Sequence, residues 1–249
     1  MAETRYISRA RKDTLKTTSD FSDMSVIIPV AGMGRRMKTY GPKCMINING
    51  TSIVERQIKQ VRRVYPKSDI ILVVGFGSGV VRDRIRSKYN VRIVYNTKYE
   101  ETNVAYSLYL GLQASCHEKC LIIYGDIIFN RVAIKDLYGE ASRIVIDKND
   151  KTRGEEVGVM HYDGEVTHFS YALEDKWCQI AYLTGKEMKM FERIAGIEDH
   201  QKWFGYEVLN EVLDQGGKFV SSVPSGLKIW EVDSPKDLKL IRSMGAISV

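Results

Sequence analysis

The sequence predicts an α/β fold on a mixed, mostly parallel sheet, and three observations carry that prediction. Short apolar runs rich in β-branched residues recur along the first half of the chain, helix-period stripes separate them, and a glycine-containing loop follows the first run directly. Strands of a parallel sheet are buried on both faces and read as continuous apolar runs, whereas a helix crossing between them shows a single apolar stripe.

The run SVIIPV (25–30) is too short for a helix and β-branched enough for a buried strand. Residues 52–65 place Ile53, Val54, Ile58, Val61 and Tyr65 at helical spacing, and Ser52 with Glu55 three positions on makes a capping box. DIILVV (69–74) is a second buried strand, Ser78 opens a short helix to about Lys88, and VRIVY (91–95) is a third strand. Asn103 caps a helix striped by Val104, Leu108 and Leu112, and CLIIY (120–124) is a fourth strand ending at Gly125-Asp126.

The pattern changes after Arg143. EVGVMHY and EVTHF (156–169) alternate on either side of Asp163-Gly164, a dipeptide that tolerates the positive φ of a tight hairpin turn, which predicts an antiparallel excursion leaving the sheet. QIAYLT (179–184) reads as a returning strand, helical patterns cover about 186–195 and 203–215, and KFVSSV (218–223) and KIWEV (228–232) are late strands. The expected organisation is a flexible extension over 1–24 and one domain over 25–249, with an insertion at about 147–207.

With 249 residues, 44% of them apolar and 27% charged, the chain can bury a full core without disulfides. Its cysteines, at 44, 116, 120 and 178, lack the paired spacing of a zinc site, and Cys120 opens a strand, so Cys116, His117 and Cys120 are read as ordinary side chains of a cytoplasmic protein. The first 24 residues hold no apolar stretch of the signal-peptide or anchor kind, and Glu3, Asp13, Asp20 and Asp23 argue against a transit peptide. Lys plus Arg number 37 against 31 acids, for a net charge of +6 spread along the chain. Phosphorylated small molecules account for that charge as well as nucleic acid does, and no nucleic-acid-binding signature occurs. No heptad pattern sets an oligomeric state.

The segment VIIPVAGMGRRMKTYGPKCM (26–45) carries most of the chemistry: Gly32 and Gly34 follow the first strand, and Arg35, Arg36, Lys38 and Lys43 come close behind. Glycines let backbone N–H groups approach phosphate oxygens, while arginine supplies a donor fork and lysine a point charge. A dinucleotide-binding fingerprint requires a small residue where Met37 stands, and the G-x-x-x-x-G-K-[ST] loop is absent. Asp126 lies outside the carboxyl end of a strand, the place where open α/β sheets bind ligands. Glu231 and Asp233 are two apart and project to one face if their strand continues, with Ser234, Pro235 and Asp237 forming a helix start just beyond. Magnesium takes one or two protein carboxylates beside substrate phosphates, so these three acids suffice for Mg2+.

The loop resembles that of nucleotidyltransferases of the sugar-phosphate and phosphocholine type, whose A-G-x-G-x-R-[LM] followed by P-K stands here as Ala31-Gly32-Met33-Gly34-Arg35-Arg36-Met37 and Pro42-Lys43. The resemblance extends over about residues 25–242. VRIVYNTKYEETNVAYSLYLGL (91–112) and IWEVDSPKDLKLI (229–241) are similar to segments of bacterial phosphocholine cytidylyltransferases. It implies a Rossmann-like three-layer α/β/α core in which the loop Ala31, Gly32, Met33 and Gly34 holds the triphosphate with Arg36 and Lys43. It also implies that Asn103 and Ser107 lie near base and ribose, and that Asp126 and Asp233 ligate Mg2+ with Glu231 beside them.

The implied reaction joins a nucleoside triphosphate, CTP first, to a phosphorylated small molecule such as phosphocholine, with release of pyrophosphate. Within the aromatic-rich insertion, Tyr171, Trp177 and Tyr182 are the expected acceptor contacts, since aromatic faces attract a quaternary ammonium, with Lys176 as the contact for the acceptor phosphate. A sugar 1-phosphate acceptor with UTP or dTTP is the alternative, although ALEDKWCQIAYLTG (172–185) departs from the sugar enzymes' E-x-P and N-A-G pattern. A GT-A-like glycosyltransferase would carry D-x-D where Gly125-Asp126-Ile127-Ile128 stands, and a non-catalytic nucleotide-binding module would not need three acids.

Overall fold

The strands and helices in chain order are β1 (Met24–Val30), β2 (Asn47–Ile48), β3 (Thr51–Ser52), α1 (Ile53–Val64), β4 (Asp69–Val74), α2 (Ser78–Arg86), β5 (Arg92–Tyr95), α3 (Val104–Ala114), β6 (Lys119–Ile123) and β7 (Ile127–Phe129). Then follow β8 (Arg143–Lys151), β9 (Val157–Tyr162), β10 (Glu165–Tyr171), β11 (Asp175–Thr184), α4 (Gly185–Ala195), α5 (Gly205–Asp214), β12 (Phe219–Ser222), β13 (Ile229–Glu231) and α6 (Pro235–Ser243). This computed structural model describes residues 21–152 and 156–243, apart from the side chains of Arg35, Lys38, Thr39 and Lys151. Nearly all of the expected N-terminal extension lies outside the described residues.

Nine strands form one sheet in the order β5-β4-β1-β6-β11-β8-β12-β10-β9. β1 runs parallel to both neighbours, Ser25 opposite Asp69 on β4 and opposite Cys120 on β6, and every one of its residues is buried. Burying a Val or Ile side chain fully contributes about 1.5–3 kcal/mol, so this strand anchors the sheet. Successive strand residues face opposite sides. Val26, Ile28 and Val30 accordingly join Val54, Ile58 and Val61 of α1 and Val81 and Ile85 of α2 in one core. Ile27 faces Leu108 and Leu112 of α3, Phe191 and Ile194 of α4, and Val208 and Val212 of α5 in the other. Helices thus cover both faces, which is the Rossmann-like three-layer α/β/α arrangement.

The second half departs from the expected excursion. Asp163 and Gly164 make the hairpin turn with φ of 48° and 82°, but the hairpin does not leave the sheet. β10 pairs with β12, and β11 runs antiparallel between β6 and β8, so the segment extends the sheet through continuous hydrogen bonding. β8 had no clear sequence signal because IVID gives way to a charged run, KNDK, that continues the strand, with Lys148, Asn149 and Asp150 exposed.

A third, smaller core fixes the end of the chain. β13 pairs antiparallel with the three-residue β7 rather than with β6, Glu231 opposite Ile127. Leu238 and Ile241 of α6 pack with Met37, Ile48, Ile53, Ile128 and Val232, which ties α6 and β13 to the glycine loop. Among the described residues no helix is long and apolar enough to cross a membrane.

Candidate active site

A cavity of about 690 Å³ opens beside the carboxyl ends of β1 and β6. Two strand ends are pressed together at its floor. A Cβ on Gly125 would stand 2.4 Å from Val30 Cγ1 and 2.6 Å from the Pro29 carbonyl oxygen, so only glycine lets the chain after β6 pass so close to β1. Immediately beyond, the Val232 N–H donates to the Asp126 carbonyl oxygen at 3.0 Å. That bond continues the β7–β13 ladder and places Asp126 between Glu231 and Asp233. Asp237 holds the next step: its carboxylate accepts from the N–H of Asp233 at 3.1 Å and the N–H and hydroxyl of Ser234 at 2.7 and 2.8 Å, the helix start expected at Ser234-Pro235.

Carboxylate oxygens of Asp126, Glu231 and Asp233 lie within 4.8 Å of one another, the metal-ligand-like group found among the described residues. The Lys43 ammonium donates to Asp126 Oδ2 at 3.0 Å and also to Asp233. A short turn aims it: Met45 and Ile46 N–H groups donate back to Pro42 and Lys43 carbonyls while Cys44 and Met45 are buried. Burial disfavours the charge on Lys43, yet Asp126 and Asp233 hold its pKa above the ordinary lysine value. Burial, with the two neighbouring carboxylates, pushes Glu231 up to about 8. Burial also works against Asp233, but Lys43 beside it holds that carboxyl below the usual range. Asp126 Oδ1 is buried and accepts no hydrogen bond. Three carboxylates, one with an unsatisfied oxygen, gathered around the Lys43 ammonium form a donor set that fits a small divalent cation such as Mg2+.

The glycine loop forms one wall of the cavity. Gly34 takes φ +53°, a left-handed conformation natural to glycine, and packs against the Lys43 side chain. A Cβ on Gly32 would meet nothing within 4 Å, so no protein contact demands a glycine there, although the residue lines the cavity. Ala31, Arg36, Lys43, Asn103 and Ser107 also line it, and Met33 does not. Asn103 Oδ1 accepts from the Val104 N–H at 2.8 Å, as the cap of α3.

Two polar residues here escaped the sequence reading. Asn96, buried after β5, donates to Thr102 Oγ1 and Ser107 Oγ at 3.1 Å each and accepts from the Lys98 N–H at 2.9 Å, which fixes the 96–103 loop. Its place just past a strand's carboxyl end was the available signal. Gln179 lies in a register break of β11 with φ +56°, accepts the Tyr124 N–H at 3.2 Å and hydrogen-bonds Glu231. A bulge that re-aims a side chain at a site leaves no trace in an apolar run.

At the opposite end Tyr171 and Phe204 are 44% and 46% exposed. Their rings flank Tyr206, edge-on at 5.6 Å and stacked at 6.0 Å, and all three line the cavity. Lys176 lines it too, paired with Glu156 at 2.5 Å and Asp150 at 3.7 Å. Trp177 touches the cavity but is mostly core, wedged between Tyr124 and Phe169. Tyr182 is a correction. It is fully buried on the α1 side of the sheet, where its hydroxyl donates to the Gly139 carbonyl at 2.7 Å, and it does not line the cavity. Neighbouring strand residues alternate faces, and Tyr182 falls on the wrong one.

An open α/β sheet with a glycine loop at one strand end and three carboxylates beside it belongs to the class that handles nucleoside phosphates. Within that class, the chain belongs to the MobA-like NTP transferase domain family, whose model matches residues 26–198. It is 37% identical over 90 residues to a choline-phosphate cytidylyltransferase of Streptococcus pneumoniae, covering 35% of this chain and 38% of that protein. It is 27% identical over 146 residues to one of Haemophilus influenzae, covering 57% and 60%. These matches span less than two thirds of either relative. The fold is shared with the CTP:phosphocholine cytidylyltransferase of Streptococcus pneumoniae (TM-score 0.73, 20% identity, 89% of this chain and 99% of that one). It is shared also with the inositol-1-phosphate CTP transferase of T. maritima (TM-score 0.74, 19% identity, 90% and 98%).

Proposed function

We propose that the protein is a nucleotidyltransferase that joins the nucleotidyl group of CTP to a phosphorylated small molecule, phosphocholine first among them, and releases pyrophosphate. The observation that carries this reading is the meeting, in one cavity, of the glycine loop with Lys43 and the carboxylates of Asp126, Glu231 and Asp233.

A phosphate monoester is largely ionised at neutral pH, so its oxygen attacks the α-phosphorus without a general base. A bond forms from the acceptor oxygen to the α-phosphorus, the bond from the α-phosphorus to the bridging oxygen breaks, and the electron pair leaves on pyrophosphate. The work left to the chain is positioning and charge stabilisation. Loop amides at Gly32 and Gly34 with the Arg36 guanidinium hold the leaving phosphates, and Lys43 serves the transferring group. Asp126 and Asp233, with Glu231 beside them, would hold Mg2+, which when bound supplies charge neutralisation on the phosphates. Asn103 and Ser107 line the remaining wall, the place for ribose and base.

At the acceptor end, the ring faces of Tyr171, Phe204 and Tyr206 together suit a cation with apolar substituents, because ring faces attract positive charge. That combination favours a quaternary ammonium over a neutral sugar. The similarity to cytidylyltransferases, among them two named for choline phosphate, supports the same choice. The test incubates the protein with Mg2+ and each of CTP, UTP, ATP, GTP and dTTP against phosphocholine, aminoethyl phosphonate and sugar 1-phosphates, reading pyrophosphate. Release with CTP and phosphocholine alone is expected. Release with UTP or dTTP and a sugar 1-phosphate would move the assignment to the sugar alternative, and release with none would overturn it.

A further inference from the structure

We infer that Gln57 of α1 is a positioning residue for Asp126, clamping the two-residue bend that carries this carboxylate. Gln57 is 1% exposed, and its side-chain Nε2 donates to the Tyr124 carbonyl at 2.7 Å and to the Ile127 carbonyl at 2.8 Å. Both hydrogens of one amide are therefore spent on the peptide groups that bracket Gly125 and Asp126.

The bend needs such a clamp. Gly125 is required there by its contact with Val30 and Pro29, and glycine is also the residue whose backbone resists deformation least. The Val232 N–H bonded to the Asp126 carbonyl restrains the bend from the β13 side alone. Gln57 restrains it from the opposite side, from a helix locked into the core through Val54, Ile58 and Val61. Its position is odd on any other account: it sits among the apolar residues of α1, and its Oε1 is buried without a hydrogen-bond partner. An apolar side chain would avoid that cost, so the donation to the two carbonyls is what the amide contributes.

The inference rests on the proposed function in that Asp126 is read as a cation ligand. The test compares the unsubstituted chain with Gln57→Met, Gln57→Asn and Gln60→Met. Methionine keeps the length of glutamine without a donor, and asparagine keeps the amide but is too short to reach both carbonyls. Gln60 is the internal control: on the same helix and 1% exposed, with neither amide atom hydrogen-bonded, its side chain makes no hydrogen bond to the bend. Mn2+ binding in the presence of CTP is read by electron paramagnetic resonance, and kcat and CTP KM by pyrophosphate release. Both Gln57 variants should raise the Mn2+ concentration for half occupancy about 10–100-fold, with a matching fall in kcat. CTP KM should stay within about two-fold, because Gln57 touches no substrate. Gln60→Met should leave all three unchanged.

Equal behaviour of the Gln57 and Gln60 variants would overturn the role of Gln57 and leave the proposed function standing. Weakened Mn2+ binding in a chain that turns over no substrate would support the role of Gln57 and overturn the reaction. Absence of Mn2+ binding in the unsubstituted chain would overturn both.

Discussion

The Lys43 ammonium and the Asp126 carboxylate meet at 3.0 Å across 83 positions of sequence, one delivered by the loop after β1 and the other by the bend after β6. Because β1 and β6 are parallel neighbours, their carboxyl ends lie at one edge of the sheet, and the pairing of β7 with β13 adds Glu231 and Asp233 from the far end of the chain. The fold thus turns three remote segments into one charged cluster.

That cluster gives Lys43 a role no other residue can take. Replacing it with methionine should lower kcat by about 10²–10³, as removal of a preorganised charge-stabilising donor does. Lys43→Arg should not restore activity, since a planar guanidinium cannot take the place of a compact ammonium between two carboxylates. Pyrophosphate release under saturating substrates reads both, and unchanged turnover in Lys43→Met would remove it from the reaction.

Two glycines that line the cavity, Gly32 and Gly125, should fail in different ways. Gly32→Ala has open space for its Cβ, so the protein should keep its melting temperature while CTP KM rises at least about ten-fold from the methyl group's intrusion on the phosphates. Gly125→Ala drives a Cβ into Val30 and the Pro29 carbonyl and should destabilise the fold by about 1–3 kcal/mol. Thermal unfolding alongside kinetics separates the two, and a destabilised Gly32→Ala would count against the reading of the loop.

Acceptor recognition divides Tyr171 and Phe204 from Tyr182. Tyr171→Ala and Phe204→Ala should raise acceptor KM several-fold with CTP KM unchanged, as expected for ring faces worth about 0.5–2 kcal/mol each to a cation. Tyr182→Phe loses both hydrogen bonds to Gly139, the one donated to its carbonyl and the one accepted from its N–H, and should cost about 1–3 kcal/mol of stability without altering acceptor KM.

Glu55 supplies a pH test of the fold that is independent of substrate. Burial raises its pKa, but the Ser52 hydroxyl and N–H at 2.7 and 3.1 Å, with Lys88 and Arg84 at 3.2 and 3.3 Å, hold it at about 2. A folded pKa below the unfolded value means stability that is present above about 4.5 and drains away as pH falls towards 2. Denaturant unfolding between pH 5 and pH 2, at roughly unit intervals, should show a decline in the native chain that is shallower in Glu55→Gln. Parallel declines in the two proteins would assign the acid sensitivity to other carboxylates.

What could be read from sequence was local. β1, β4, β6, the cap at Asn103 and the turn at Asp163-Gly164 each carry their signal within a few residues, in β-branched runs, a capping side chain or a dipeptide fit for positive φ. The loop and the three acids were legible as residue types, but their meeting depends on the three-residue β7 pairing with β13, too short and too remote to announce itself. Gln57 was visible only as a polar residue on the apolar face of α1, and its partners are carbonyls, which no side-chain pattern encodes. Tyr182 was misassigned because nearness in sequence to Trp177 and Lys176 says nothing about which face of β11 a side chain occupies.

The central claim is that this cavity transfers a nucleotidyl group with Asp126 at its centre. The most direct measurement supplies CTP labelled at either the α- or the γ-phosphate, with Mg2+ and phosphocholine, to the unsubstituted chain and to Asp126→Ala. The account predicts that α-label appears in the acceptor conjugate, that γ-label appears only in pyrophosphate, and that both transfers are lost in the variant. Label from the γ-position in the acceptor product, or transfer that persists in Asp126→Ala, would contradict it.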